Sequence, residues 1–371
     1  MNIFKRISFA LLIVFVFIIV EKSYAKDNII EEPNLKVIIH GNIIDFSDVP
    51  IIKNGKTLLP LRQALTSLGI QNDDKHIIWN SSERSVTASN DKTKVYIKTN
   101  SLIGYINNVK TDLDAAPVIY NGKTYIPIRF IAKSFNKQIT WDNKSKSIFI
   151  YDEAKVNKAK KVVNEAEDKL QSLSKYKYIE TLNSNSKWGY WVNRYEVDKL
   201  KNINHSILEV YMKKGDKDWM EFNEIYLVGD NYYIKTKDNN NSSMSETHWE
   251  KRNITSQEKQ TQDKTRQLLS KLSQVYFYGL NITENEEEYM LKGFTGNPIE
   301  GHESPDSNSR IEITITIDKK SKIYKEINIR QIGKNSAHYE HPEEKYNLEY
   351  NTKYLDVSEN FEIQLPNNLP N

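Results

Sequence analysis

The sequence predicts an α+β fold: a duplicated module of antiparallel hairpin and helix, then one longer helix, then a long antiparallel sheet with a single helix inserted. Three observations carry that prediction. The nonapeptide "NGKTLLPLR" at 54–62 returns as "NGKTYIPIR" at 121–129, 67 positions later. Residues 153–174 contain neither Gly nor Pro, and their apolar side chains step by three and four. Beyond residue 152, where 16 of the 22 tyrosines and four of the six tryptophans lie, aromatic and β-branched runs dominate.

The first 25 residues read as an export signal. Lys5 and Arg6 precede a 14-residue apolar run from Ile7 to Val20, and the ending Ser23-Tyr24-Ala25 fits cleavage after Ala25. Such a run is shorter than the roughly 20 residues that span a bilayer; the alternative is an uncleaved N-terminal anchor. The expectation is a secreted, extracytoplasmic protein associated with the cell wall or free of it. It has a linker at 26–35 and no transmembrane segment after cleavage. The chain has no cysteine, which excludes disulfides, thiolate metal sites, a cysteine nucleophile and a lipidated cysteine anchor. Lys+Arg 52 against Asp+Glu 49 gives +3, and removing Lys5, Arg6, Lys22 and Glu21 with the signal leaves +1. A charge so near zero sets up no long-range field for nucleic acid or an anionic membrane.

In the repeat, Asn54-Gly55 aligns with Asn121-Gly122, Pro60 with Pro127 and Arg62 with Arg129. Asn-Gly between apolar runs favours a two-residue turn with positive φ at both positions, so each copy predicts a tight hairpin. Proline cannot donate to a ladder but suits the first turn of a helix, so the second strand stops there and a helix begins. Those helices, 60–68 and 127–135, place Leu61, Ala64, Leu65 and Leu68, or Ile128, Ile131, Ala132 and Phe135, on one face. A short strand ending at Trp79 or Trp141 and one further strand complete each copy, and the first copy carries five extra residues in "QNDDKHI". A cation in the first helical turn opposes the helix dipole. Arg62 is therefore expected to pair with Asp45 or Asp48, and Arg129 with Asp112 or Asp114; the functional alternative is a pair of anion-binding arginines.

The paired motif, preceded by "HGNIIDF" at 40–46 and "INNVKTDLD" at 106–114, resembles the copper amine oxidase N-terminal domain, also called the stalk domain, over 36–152. The resemblance implies a small module with an antiparallel sheet wrapped on one helix per repeat, found in secreted bacterial proteins. It does not imply amine oxidation. In that family the oxidase chemistry sits in a separate domain with a tyrosine in an Asn-Tyr-Asp/Glu setting and three copper histidines, two as His-x-His. Neither pattern occurs here, where the histidines are 40, 76, 205, 248, 302, 338 and 341.

Within 153–174 the seam runs Val156, Ala159, Val163, Ala166, Leu170 and Leu173. It packs on the following sheet or, in a second reading, pairs two chains as a dimer. Next, "RIEITITID" at 310–318 alternates throughout, and its partner strand carries Ile323, Ile327 and Ile329. Further strands are expected at 207–212, 219–228, 232–236, 289–294, 345–357 and 361–365, and a helix at 256–275 opened by the capping box "TSQE". The layout over 154–366, with "HWEK" at 248–251 before the inserted helix and "IQLP" at 363–366 closing the strands, resembles the half-barrel of lipoprotein-carrier proteins. That resemblance implies a curved sheet whose concave face holds an apolar ligand; the other reading is a concavity filled by its own side chains.

Catalytic patterns such as Gly-x-Ser-x-Gly, His-Glu-x-x-His and a phosphate-cradling glycine loop are absent from the sequence. "HYEH" at 338–341, with His302 and Glu303, has metal-ligand residue types, but its place beside Pro342 favours a solvated loop. "WGYW" offers Trp188, Tyr190 and Trp191 as candidate ligand contacts; in a strand Trp188 and Tyr190 share one face and Trp191 takes the other. The expectation is a non-catalytic, exported binding protein without metal or cofactor. Its partner is a cell-envelope component or an apolar small molecule held in the second domain, 153–371; the alternative is a wall-polysaccharide binder acting through exposed aromatics.

Overall fold

The computed structural model describes residues 28–143, 145–184, 189–214, 217–238, 248–255, 277–294, 310–334 and 345–370. The export signal, Trp188, the 256–275 helix and the cluster of His338, Glu340 and His341 with His302 and Glu303 lie outside them. Two compact units emerge, one centred on Phe46–Ile131, the other on Asn34–Asp45 with the chain from Ala132 onward. Among the described residues no helix is long and apolar enough to cross a membrane.

In chain order the repeats form β1 (Ile29–Glu31), β2 (Lys36–Ile39), β3 (Asn42–Ile43), β4 (Ile51–Lys53), β5 (Lys56–Pro60), α1 (Leu61–Thr66), β6 (Ile77–Asn80) and β7 (Ser85–Ser89). There follow β8 (Lys94–Lys98), β9 (Ile103–Ile106), β10 (Val109–Asp112), β11 (Val118–Tyr120), β12 (Lys123–Pro127), α2 (Ile128–Ser134), β13 (Gln138–Asp142) and β14 (Ser147–Tyr151). Asn54-Gly55 (φ 51° and 73°) and Asn121-Gly122 (49° and 74°) take the positive angles that their residue types favour. The same geometry recurs at His40-Gly41 (50° and 80°), joining β2 to β3, and at Asn107-Asn108 (49° and 66°), joining β9 to β10. Each copy thus holds three hairpins, an opening and a closing one besides the one that Asn-Gly announces.

β5 and β12 end on Pro60 and Pro127, and the helices begin at the next residue. They are shorter than expected: Ser67 caps α1, and Gly69 at φ 96° follows. In the sheet β1-β4-β5-β12-β11 the two copies meet, with Leu58 opposite Pro127, Leu59 opposite Ile126 and Pro60 opposite Tyr125. Because 58, 59 and 60 are the repeat equivalents of 125, 126 and 127, that register is a local two-fold through the Leu59 and Ile126 pair. The closing hairpin of each copy joins the opening hairpin of the other: β6 and β7 extend the sheet β10-β9-β8-β7-β6, and β13 and β14 extend β13-β14-β2-β3.

The second unit continues with α3 (Glu153–Ser172), β15 (Lys175–Ser184), β16 (Tyr190–Asp198), β17 (Ile203–Lys214), β18 (Lys217–Val228), β19 (Asn231–Asp238) and β20 (Glu250–Asn253). β21 (Leu280–Glu284), β22 (Glu288–Phe294), β23 (Arg310–Asp318), β24 (Tyr324–Lys334) and β25 (Lys345–Asp356) complete it. All eleven strands form one antiparallel half-barrel sheet, ordered β20-β19-β18-β17-β16-β15-β25-β24-β23-β22-β21. It is two meanders joined where β15 pairs with β25.

α3 starts where Asp152 accepts hydrogen bonds from the amides of Ala154 (3.0 Å) and Lys155 (3.4 Å), satisfying donors that a helix N-terminus leaves open. Its seam residues Val156, Ala159, Val163 and Ala166 are buried against Ile282, Leu291, Ile311, Ile313, Ile315 and Ile317. Each fully buried aliphatic side chain contributes roughly 1.5–3 kcal/mol, so tertiary packing holds this lysine-rich helix. The dimer reading is corrected here: the seam is covered by the chain's own sheet. Two strand expectations also change. β24 begins at Tyr324, so Ile323 lies just outside the strand, and a bulge at Thr316/Ile317 sets Tyr324 opposite Ile317. Residues 361–365 form no strand; Phe361, Ile363 and Leu369 pack instead on Ile203, Tyr226 and Trp249.

Candidate functional site

Strand alternation gives the large sheet two unlike faces. On the face that carries α3, rings from four neighbouring strands form a row: Tyr195 (β16), Tyr178 (β15), Tyr354 (β25) and Tyr324 (β24). Tyr178 and Tyr195 stack at 4.4 Å and 8°, Tyr178 lies 5.8 Å from Tyr354, and Tyr354 lies 6.1 Å from Tyr324. The Tyr324 hydroxyl donates to the Val163 carbonyl of α3 at 3.1 Å, pinning one end of the row.

A carboxyl sits at each end. Glu180 hydrogen-bonds Tyr195, and burial pushes its pKa up to about 7. Glu167 of α3 hydrogen-bonds Tyr324 and accepts from Gln171 Nε2 at 3.3 Å, and burial raises its pKa as well. Desolvation favours the neutral acid in both cases, and likewise holds the phenols of Tyr178, Tyr195, Tyr324 and Tyr354 above their ordinary range. Asn193 Nδ2 donates to the Tyr195 hydroxyl at 2.6 Å. Asn193 Oδ1 is buried and has no hydrogen-bond partner, a condition that costs about 1–3 kcal/mol.

By the same alternation Leu182, Trp191, Leu208, Ile225 and Ile234 share this face, and all five are half-buried. Asn223 bridges Glu221 (2.7 Å) and Thr236 (2.8 Å) beside them. The opposite face carries the charge. There Lys177 meets Glu196 at 2.5 Å, and His205 lies between Glu196 (3.1 Å) and Glu224 (3.3 Å) with its ring 4.2 Å from Tyr226. A cavity of about 170 Å³ beside Tyr324 and Tyr354, lined also by Asp318, Ile323 and Lys325, is smaller than the roughly 300–1,000 Å³ of small-molecule pockets. Among the described residues no group of three His, Asp or Glu side chains is placed to hold a metal ion.

The residues singled out from sequence are dispersed. Arg129 pairs with Asp114 at 2.6 Å. Arg62 does not reach Asp45 or Asp48: it meets Asn72 at 3.1 Å and Asp74 at 3.4 Å, both within the five-residue insertion of its own copy, while Asp45 pairs with Arg310 at 2.9 Å. Trp79 and Trp141 occupy edge strands and are 42% and 49% exposed. Tyr190 is exposed and faces Tyr211 at 6.0 Å, whereas Trp191 lies half-buried on the other face, so these two rings make no common platform. Glu180, Asn193 and Tyr195 went unnoticed in the sequence. Their signal was available in "KYKYIETL" and "YWVNRYEV", where polar residues fall on the same alternate positions as large apolar ones.

Residues 38–150 match the family described as Copper amine oxidase N-terminal domain. A solved structure, that of LprF from Mycobacterium bovis, is similar at a TM-score of 0.34 and 10% identity, covering 58% of this chain and 98% of that one. No curated protein matches. Over 38–150, which is less than half of its length, the chain is therefore similar to the copper amine oxidase N-terminal domain.

Proposed function

We propose that this is a non-catalytic exported binding protein. The repeated module of 36–152 acts as a scaffold at the cell envelope, and the inner face of β15–β19 holds an apolar ligand. One observation carries the reading: α3 covers the β21–β25 half of that face with a buried, isoleucine-rich core, whereas Leu182, Trp191, Leu208, Ile225 and Ile234 of the other half remain half-buried. An aliphatic surface interrupted by a few convergent polar groups is the usual character of a small-molecule site. The test is titration of the intact protein with a neutral, polarity-sensitive dye. Saturable binding, lost on Leu208→Arg with the circular dichroism spectrum kept, supports the proposal; no saturable binding refutes it. The exposed rings of Trp79, Trp141 and the Tyr190/Tyr211 pair favour a second reading, a wall-polysaccharide binder. Co-sedimentation with purified wall material that is lost on Trp79→Ala and Trp141→Ala would select it.

A further inference from the structure

In the central part of the inner face of β15–β19, around Glu180, the charged groups are acidic. Alternation turns Lys175, Lys177, Arg194, His205 and Lys235 to the outer face. In the central segments of these strands the inner positions within 176–182, 191–197, 204–210, 221–227 and 232–236 contain Glu180 and Glu221 and no basic residue. On the edge strand β20, Arg252 takes an inward position and its guanidinium lies 4.1 Å from the centre of the Tyr232 ring, so this face already accommodates a cation on tyrosine.

At the centre, three side chains form a chain of hydrogen bonds that ends in acceptors. Asn193 Nδ2 donates to the Tyr195 hydroxyl, and that hydroxyl bonds Glu180. This leaves Asn193 Oδ1 buried without a donor, and a carboxyl with no described lysine or arginine beside it. A carboxylate ligand would meet the acceptor Asn193 Oδ1 and be repelled by Glu180 whenever that acid is ionised. A neutral hydroxyl would satisfy one acceptor and bring no positive charge to favour the ionised form of the buried acid. A protonated amine has donors for both oxygens and the opposite charge, and it would lie beside the stacked Tyr178 and Tyr195 rings.

Resting on the binding face proposed above, we infer that Glu180, Asn193 and Tyr195 form a subsite for the ammonium head of an amphiphilic ligand whose apolar body lies along Leu182, Leu208 and Ile225. Glu180 is the counter-ion, Asn193 Oδ1 is the second acceptor, and Tyr195 holds both in place.

The test displaces the neutral dye from the full chain with three ligands of one chain length: octylammonium, octanol and octanoate. The expected result is octylammonium at least about tenfold tighter than octanol, with octanoate weaker than both. Glu180→Gln should bring the octylammonium to octanol ratio to about one, and Asn193→Leu should weaken octylammonium about three- to tenfold. Equal binding of the three ligands, or a preference that survives Glu180→Gln, overturns the ammonium assignment while leaving the binding face intact. A dye that never binds overturns both.

Discussion

The two halves of the eleven-stranded sheet differ in what their alternate residues do. In β21–β24 the inward positions are mostly isoleucine or leucine, from Ile282 and Leu291 to Ile311, Ile313, Ile315, Ile317, Ile327 and Ile329, and α3 seals them, with Tyr350 and Tyr354 of β25 packed alongside. In β15–β19 the inward positions mix leucine and isoleucine with Glu180, Asn193, Ser206 and Asn223, and most are only half-buried. One continuous backbone ladder therefore serves two purposes. A face built wholly of branched aliphatics is core; a face that keeps polar groups among them retains a use for those groups, because burying them without partners is unfavourable.

The contrast is broken most severely by cavity formation. Ile315→Ala, at a fully buried position, should cost about 2–5 kcal/mol in urea unfolding of the second unit. Leu208→Ala on the other half should cost less, about 1–2 kcal/mol, since Leu208 is only half-buried. Equal losses would show that both halves are core.

Glu180 gives the next largest effect. An acid held up by burial binds its proton more tightly when folded, so its contribution to stability is full below the unfolded value of about 4.3 and is lost as pH rises through about 7. Wild-type stability should fall by roughly 2–3 kcal/mol between pH 5 and 8 on account of this group. Glu180→Gln should flatten that segment of the pH profile, and an unchanged slope would place the carboxyl in water.

At the start of the sealed half, Asp152→Ala removes the cap of α3 and should cost about 1 kcal/mol by thermal melting at pH 7. The hydrogen bond from Lys137 holds the Asp152 carboxyl below its ordinary value, so this contribution is present above about pH 4 and is lost as pH falls further. The smallest effects belong to the repeated arginines. Arg62→Ala should change stability by less than about 0.5 kcal/mol, because Arg62 and Asp74 are both exposed, and Arg129→Ala by slightly more, because Asp114 is better covered.

The scaffold was more legible in the sequence than the site. Asn-Gly and Pro placed two turns and two strand ends to the residue, because positive φ and a missing amide hydrogen are local requirements. His40-Gly41 and Asn107-Asn108 take the same turn with weaker residue signals and were missed. The partner of Arg62 was misassigned because the insertion brings Asn72 and Asp74 within reach, a tertiary outcome that repeat equivalence does not encode. The isoleucine half of the sheet was readable from "RIEITITID" alone. The tyrosine row was not, since its four members come from separate strands and meet only through the pairing of β15 with β25 and a bulge beside Tyr324.

Hydrogen–deuterium exchange of the intact protein, with and without saturating neutral dye, tests the division of the sheet most directly. Added protection should be confined to β15–β19, with β21–β25 already slow to exchange and unaltered. Protection gained in β21–β25, or in neither half, would contradict it.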